Sequence, residues 1–292
     1  MAQSADNLLL IKPLAFGFDP KSADTNTFQQ NISNQEPLEA ALKEHKALQN
    51  LLSANNINYS VIESPKECLD GIFPNNWVIT YEDKTMDLGS MYNPNRRLER
   101  SRENIDHLKQ LYRLQDDYSL YEQTNNFLEG TGSLVLDRIN KIAYMCLSPR
   151  SSYKVAKDWS KNRGYELITF EASLNKKSVY HTNVLMFIGS GIACIASNLI
   201  KDNKNVISGL KKHHKIIELS EEEIKNFCGN SLEVRDKDNN VILLMSSRAY
   251  KNYANKNIKE LHSHYSKILH CNLNNIENIG GGSLRCMILE LF

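Results

Sequence analysis

An α/β fold built from five repeated units is what this sequence predicts, because a turn-and-strand pattern recurs, a second strand follows it, and helical segments lie between. The recurring segments are FPNNWVIT (73–80), FLEGTGSLVLD (127–137), YHTNVLMFIG (180–189), CGNSLEV (228–234) and GGGSLRCMILELF (280–292). With Asn76, Glu129, His181, Asn230 and Cys286 as markers, the intervals are 53, 52, 49 and 56 residues. A repeat of that length belongs to solenoids and propellers. Closure into a ring would bring five turns that are distant in sequence around one axis.

The elements follow in order. PLEAALKEHKALQNLLSANN (37–56) carries Leu38, Leu42, Ala47 and Leu51 on a helical period and stops near two asparagines, so it reads as a helix. NRRLERSRENIDHLKQLYRL (95–114) and SEEEIKNFC (220–228) read as helices too, while LHSHYSKILH (261–270), with His262, His264 and His270, has helical character. KIAYMCLS (141–148), GIACIAS (191–197) and NVILLMSS (240–247) are short apolar runs that read as second strands. No Gly/Pro/Ser-rich linker interrupts the series, so residues 1–292 are expected to form a single domain.

Hydrophobic residues make up 41% and charged residues 24%, the balance of a globular chain. A net charge of +1 offers no basic footprint for nucleic acid or anionic lipid. No run approaches the ~18 apolar residues of a spanning helix. MAQSADNLLLIKP lacks the basic opening of a signal peptide. Six cysteines at 68, 146, 194, 228, 271 and 286 show no paired spacing. These features predict a cytoplasmic protein with a small-molecule partner and neither nucleic acid nor membrane; they leave the oligomeric state open, a homo-oligomer included.

The turns carry the chemistry. Cys286, His181 and Glu129 sit at corresponding places in different units, and thiol, imidazole and carboxylate are the set that nucleophilic catalysis needs. Asn75, Asn76, Asn183 and Asn230 occupy neighbouring turn positions. The glycines before Cys286, Gly282 among them, let backbone approach a ligand closely. Each residue alone has a bland reading: a buried thiol, a hydrogen-bonded histidine, turn asparagines, a solvated glutamate. GGGS lacks the lysine of a phosphate loop, and no G-x-G-x-x-G follows a strand. His213 and His214 lie in a basic stretch, and the histidines of 261–270 lack a carboxylate at ligand spacing.

These segments resemble the guanidine-modifying superfamily of arginine deiminases, dimethylarginine dimethylaminohydrolases and amidinotransferases. GGGSLRCMILELF resembles its nucleophile motif, and FLEGTGSLVLD, YHTNVLM and DGIFPNNWVIT resemble its glutamate, histidine and first lining motifs. PNNW, MYNPNRR, LEGTGS and YHTN together are most similar to the citrulline-hydrolysing branch, over almost the whole chain. The resemblance implies a five-bladed α/β (pentein-type) propeller of ββαβ-like repeats, with Cys286 as nucleophile, His181 as acid/base and Glu129 as a substrate-binding carboxylate. It implies that Arg150 and one of Arg96 and Arg97 grip the substrate carboxylate, and that no metal or organic cofactor is needed.

Deiminases have aspartate where this chain has Asn76 and Asn183. A guanidinium is a cation with five donors, whereas a ureido group is neutral and both donates and accepts. Hydrolysis of L-citrulline to ornithine, carbon dioxide and ammonia is therefore the expected activity. The alternatives are arginine deimination, a dimethylarginine dimethylaminohydrolase-like reaction, amidino transfer, and a silent binding propeller. A protonated His181 beside Cys286 would lower the thiol pKa.

Overall fold

The computed structural model of the chain describes residues 2–32 and 36–292. Strand β1 (Asn7–Lys12) pairs in parallel with β2 (Asn58–Glu63) from Asn7↔Asn58 to Lys12↔Glu63, with the helix Pro37–Ala54 between them. The next unit adds the missing first strand. β3 (Val78–Thr80) runs antiparallel to β4 (Thr85–Leu88), and β5 (Arg113–Asp117) lies parallel to β4 beyond the helix Arg102–Lys109.

The same order returns in β6 (Leu134–Asp137), β7 (Ile142–Cys146), helix Tyr153–Arg163 and β8 (Glu166–Phe170). After a small ribbon of β9 (Ser173–Leu174) and β10 (Lys177–Ser178), it returns in β11 (Met186–Gly189), β12 (Ile192–Ile195), helix Lys204–Lys211 and β13 (Lys215–Glu218). A further round comprises β14 (Leu232–Arg235), β15 (Val241–Ser246), helix Asn255–His264 and β16 (Lys267–Cys271). Finally β17 (Ile288–Leu291) pairs antiparallel with β1, from Asn7↔Leu291 to Leu10↔Ile288. The unit that opens at Cys286 is thus completed by residues 7–63.

Burial explains the composition of each strand. First and second strands such as LVLD in β6 and IAYMC in β7 are buried throughout, and strands covered on both faces read as continuous apolar runs. The outer strand β5 alternates exposed and partly buried residues instead. The turns between first and second strands carry a left-handed residue at nearly the same place, Lys84, Lys141, Gly191 and Asn239. That recurrence matches the φ above zero that tight hairpins need.

Three helical expectations change. Residues 95–114 are not one helix: a turn at Pro94–Arg97 ends, Ser101 caps a second helix by accepting from the Asn104 N–H, and 113–117 is drawn into the sheet beside β4. His270 lies on β16, where backbone pairing with Met245 overrides the local helical composition. The segment 220–228 holds only the short helix Glu221–Lys225, fixed by a capping box between Ser220 and Glu223.

Candidate active site

Each first strand is preceded by a tight turn, and these turns meet. Gly130–Ser133 contacts both Pro74–Asn76 and Thr182–Val184, and Pro74–Asn76 contacts Leu284–Met287. Glu129, His181 and Cys286 are buried there, at 0%, 2% and 3% exposure. His181 Nε2 lies 2.7 Å from Glu129 Oε2, while the other Glu129 oxygen accepts from the Tyr92 N–H at 2.9 Å. Close approach requires Gly132: a Cβ there would sit 2.5 Å from the Asn76 amide and 2.8 Å from His181 Nδ1.

Arg150 Nη1 stands 3.6 Å and Arg96 Nη1 3.9 Å from the Glu129 carboxylate. Burial raises the Glu129 pKa, but Arg150, the His181 hydrogen bond and Arg96 outweigh it and bring it to about 2. Burial pushes His181 down to about 4, and the Glu129 contact only partly opposes this. At neutral pH the pair is therefore carboxylate and neutral imidazole. An ionised carboxylate can only accept, so Nε2 carries the proton and Nδ1 keeps its lone pair. Burial raises the Cys286 pKa, opposed by the Ser283 backbone, Asn230, Arg285 and Asn183. The expectation of a thiol acidified by a charged histidine is corrected: desolvation pushes the thiol pKa up and the imidazole pKa down.

Below the thiol, Asn230 Nδ2 lies 3.3 Å and Asn183 Nδ2 3.7 Å from Cys286 Sγ. Asn183 Oδ1 is buried without a hydrogen-bond partner among the described residues. Above it, Gly280, Gly281, Gly282, Phe73, Asn76, Arg96, Arg150, Tyr180, His181 and Asn26 wall a pocket with the thiol. Gly282 is held to its size: a Cβ would fall 2.8 Å from the Phe73 ring and 3.2 Å from Cys286 Cβ. The free space is only about 10 Å³, room for about one water. Segment 22–30 closes it. Asn26 donates to the Gly281 carbonyl at 3.2 Å and Gln29 to that of Gly280 at 2.9 Å, and Tyr180 donates to Gly281 at 2.9 Å.

The two adjacent arginines separate. Arg96 is buried and lines the pocket, with Nε and Nη2 on Glu99 at 2.7 and 3.0 Å and with the Asn76 carbonyl oxygen accepting at 2.9 Å. Arg97 turns away to Glu122 at 3.2 Å and the Met91 carbonyl, outside the pocket. Arg150 lines the pocket but donates to Thr25 Oγ1 and the Ser22 carbonyl, both at 2.8 Å. Asn75 also lies outside it; its side-chain oxygen accepts from Asn76 at 3.0 Å and its Nδ2 has no partner among the described residues. Sequence reasoning missed Tyr180, Phe73 and Asn26. The first two adjoin motif residues that drew attention, whereas the Asn26 region carries no pattern.

No curated protein matches the sequence significantly. Among solved structures, the arginine dihydrolase ArgZ, from the ornithine-ammonia cycle in cyanobacteria, superposes with a TM-score of 0.77 at 16% identity. That match covers 97% of this chain and 40% of ArgZ, so the chain spans less than half of that protein. The N-terminal domain of ArgZ bound to substrate matches at TM-score 0.75 and 15% identity, covering 97% of each chain. A dimethylarginine dimethylaminohydrolase adduct with S-methyl-L-thiocitrulline matches at TM-score 0.67 and 15% identity, covering 98% of this chain and 99% of that one. The family described as N,N dimethylarginine dimethylhydrolase, eukaryotic, matches residues 12–292. The chain therefore belongs to the N,N-dimethylarginine dimethylhydrolase family, a hydrolase branch of the superfamily that also holds the amidinotransferases and arginine dihydrolases.

Proposed function

We propose that the chain is a cysteine-dependent hydrolase that cleaves a carbon–nitrogen bond at the guanidino or ureido carbon of an arginine-like amino acid. The observation that carries this is the convergence of Cys286 and His181 on one pocket with Arg96 and Arg150, with Glu129 behind the histidine at 2.7 Å. Residues 1–292 act as one domain, a five-bladed propeller closed by the pairing of β17 with β1.

In the reaction, Cys286 Sγ bonds to the central carbon while its proton passes to His181 Nδ1. His181⁺, steadied by Glu129, protonates the departing nitrogen, and the carbon–nitrogen bond breaks. Water then gives a proton to His181, its oxygen bonds to the carbon, and the thiolate leaves and recovers a proton. From arginine or dimethylarginine the leaving group is ammonia or dimethylamine and the product is citrulline. No step requires a metal or an organic cofactor.

Family membership supports the guanidino substrates. A second reading, L-citrulline, is favoured by the pocket wall, where two arginines and no carboxylate stand among the lining residues. Buried carboxylates behind the wall already offset both arginines, Arg96 at Glu99 and Arg150 near Glu129, and the lining amide Asn76 matches a neutral ureido group that both donates and accepts. Arginine, dimethylarginine, agmatine and citrulline should be incubated separately and assayed for citrulline, ornithine, dimethylamine and ammonia. Turnover of none of them, or full activity in Cys286→Ala, overturns the hydrolase reading. Asn76→Asp with Asn183→Asp should lower citrulline kcat/KM and raise arginine binding. No change in either would remove the amides from substrate choice.

A further inference from the structure

Asn230 is not among the residues that line the pocket. It is fully buried and sits under the sulfur. Its amide can point only one way. Oδ1 accepts the Arg285 backbone N–H at 3.1 Å and stands 3.6 Å from Cys286 Sγ, where the neutral thiol donates to it, while Nδ2 donates to the Asn183 carbonyl at 2.9 Å and, nearer to the sulfur at 3.3 Å, is the donor left for the thiolate. Exchanging O and N would set an oxygen against the Asn183 carbonyl and an NH₂ against the Arg285 N–H, two repulsive contacts.

The turn beneath it is equally constrained. The Asn230 N–H bonds the Phe227 carbonyl at 2.9 Å, with Phe227 in the left-handed region at φ +61°. A Cβ on Gly229 would fall 2.4 Å from the Val184 carbonyl, so only glycine lets this turn press against the His181 turn. A bulky residue held with φ above zero is uncommon and persists where the surroundings enforce it. Asn183 contrasts with Asn230. Its Nδ2 is more distant from the sulfur at 3.7 Å and its Oδ1 has no partner among the described residues to fix the amide.

We propose that Asn230 is a catalytic residue: an amide locked by the Arg285 backbone that donates to the Cys286 sulfur and stabilises the thiolate, without binding substrate. The inference rests on Cys286 as nucleophile and changes the part first expected of Asn230, a substrate contact. A hydrogen bond to a charged acceptor is stronger than one to a neutral acceptor, so a fixed donor favours the anion over the thiol. The charged and titratable groups around the sulfur are Arg285 on its own turn, Tyr180 and His181 on the β11 turn, and Arg96 and Arg150 across the pocket. Changing residue 230 leaves their side chains in place, but an aspartate there adds a charge of its own beside the sulfur, so Asn230→Ser, which adds none, must show the same shift.

Iodoacetamide alkylation of Cys286, followed by peptide mass spectrometry across pH, reads the thiolate without using any substrate. Asn230→Asp keeps an oxygen for the Arg285 N–H and puts a second oxygen, without a proton to give, against the sulfur. It should shift the alkylation midpoint upward by about one pH unit and slow labelling about tenfold below it, since one unit is a tenfold change in thiolate. The KM of whichever substrate is turned over should stay within about twofold while kcat falls. Asn230→Ser, a smaller change, is measured beside it, serves alone if the aspartate variant does not fold, and should shift the midpoint in the same direction. An unmoved midpoint in either folded variant, or a rise in KM with kcat unchanged, overturns the inference. Failure of the nucleophile reading looks different: wild-type Cys286 would not be alkylated ahead of the other five cysteines.

Discussion

At the scale of single residues, desolvation governs the site. The fold holds His181 at about 4, below its ~6.5 in an unfolded chain. The unfolded chain therefore binds the extra proton first. His181's contribution to stability is complete above pH ~6.5 and declines as pH falls toward 4. Glu129, depressed to about 2 from ~4.3, contributes fully above pH ~4.3 and loses that contribution down to about 2. Thermal melts should show Tm falling in two stages on acidification, and His181→Gln should flatten the upper one. Gly132→Ala should reduce kcat/KM by about a hundredfold, since displacing a reacting group by ~1 Å has that effect. The reason is the Cβ 2.8 Å from His181 Nδ1. Gly164→Ala, at φ +66° in open space, should lower Tm and leave kcat unchanged.

At the scale of elements, segment 22–30 and the glycine turn oppose each other. Three side-chain donors, from Asn26, Gln29 and Tyr180, hold the carbonyls of Gly280 and Gly281, and Thr25 with Ser22 occupies Arg150. The free space of about 10 Å³ is far smaller than the amino-acid substrate proposed above, so that proposal requires these bonds to open. Gln29→Ala removes one of them, and a buried hydrogen bond contributes about 0.5–1.5 kcal/mol. Hydrogen exchange at 278–283 should then quicken, and substrate association should be faster in stopped-flow. Unchanged exchange would mean that another contact holds the turn.

For the whole molecule, the antiparallel pairing of β1 with β17 makes the Cys286 turn depend on residues some 280 positions away. Leu9, opposite Leu289, is fully buried in the cluster that also holds Trp77 and Leu108. Leu9→Ala should lower stability by about 2–5 kcal/mol through the cavity it leaves. It should also depress kcat before global melting, because β17 continues directly from the Cys286 turn. Parallel denaturation and activity curves would separate the two effects.

What the sequence determined by itself was the repeat: a period near fifty residues, five turn markers, the second strands, and the motifs that place Cys286, His181 and Glu129 at corresponding positions. Those features are local, since an apolar run buried on both faces and a turn of small residues are written in adjacent letters. Only the tertiary structure decided that β17 borrows its partners from residues 7–63, that 95–114 splits to supply an outer strand, and that Arg96 faces the pocket while Arg97 faces Glu122. It also decided that Asn230 lies under the sulfur and that burial pushes the thiol pKa up and the imidazole pKa down. Each of these depends on which group lies opposite across a gap of ångströms and on how much water is excluded there, and neither quantity is carried by neighbours in the chain.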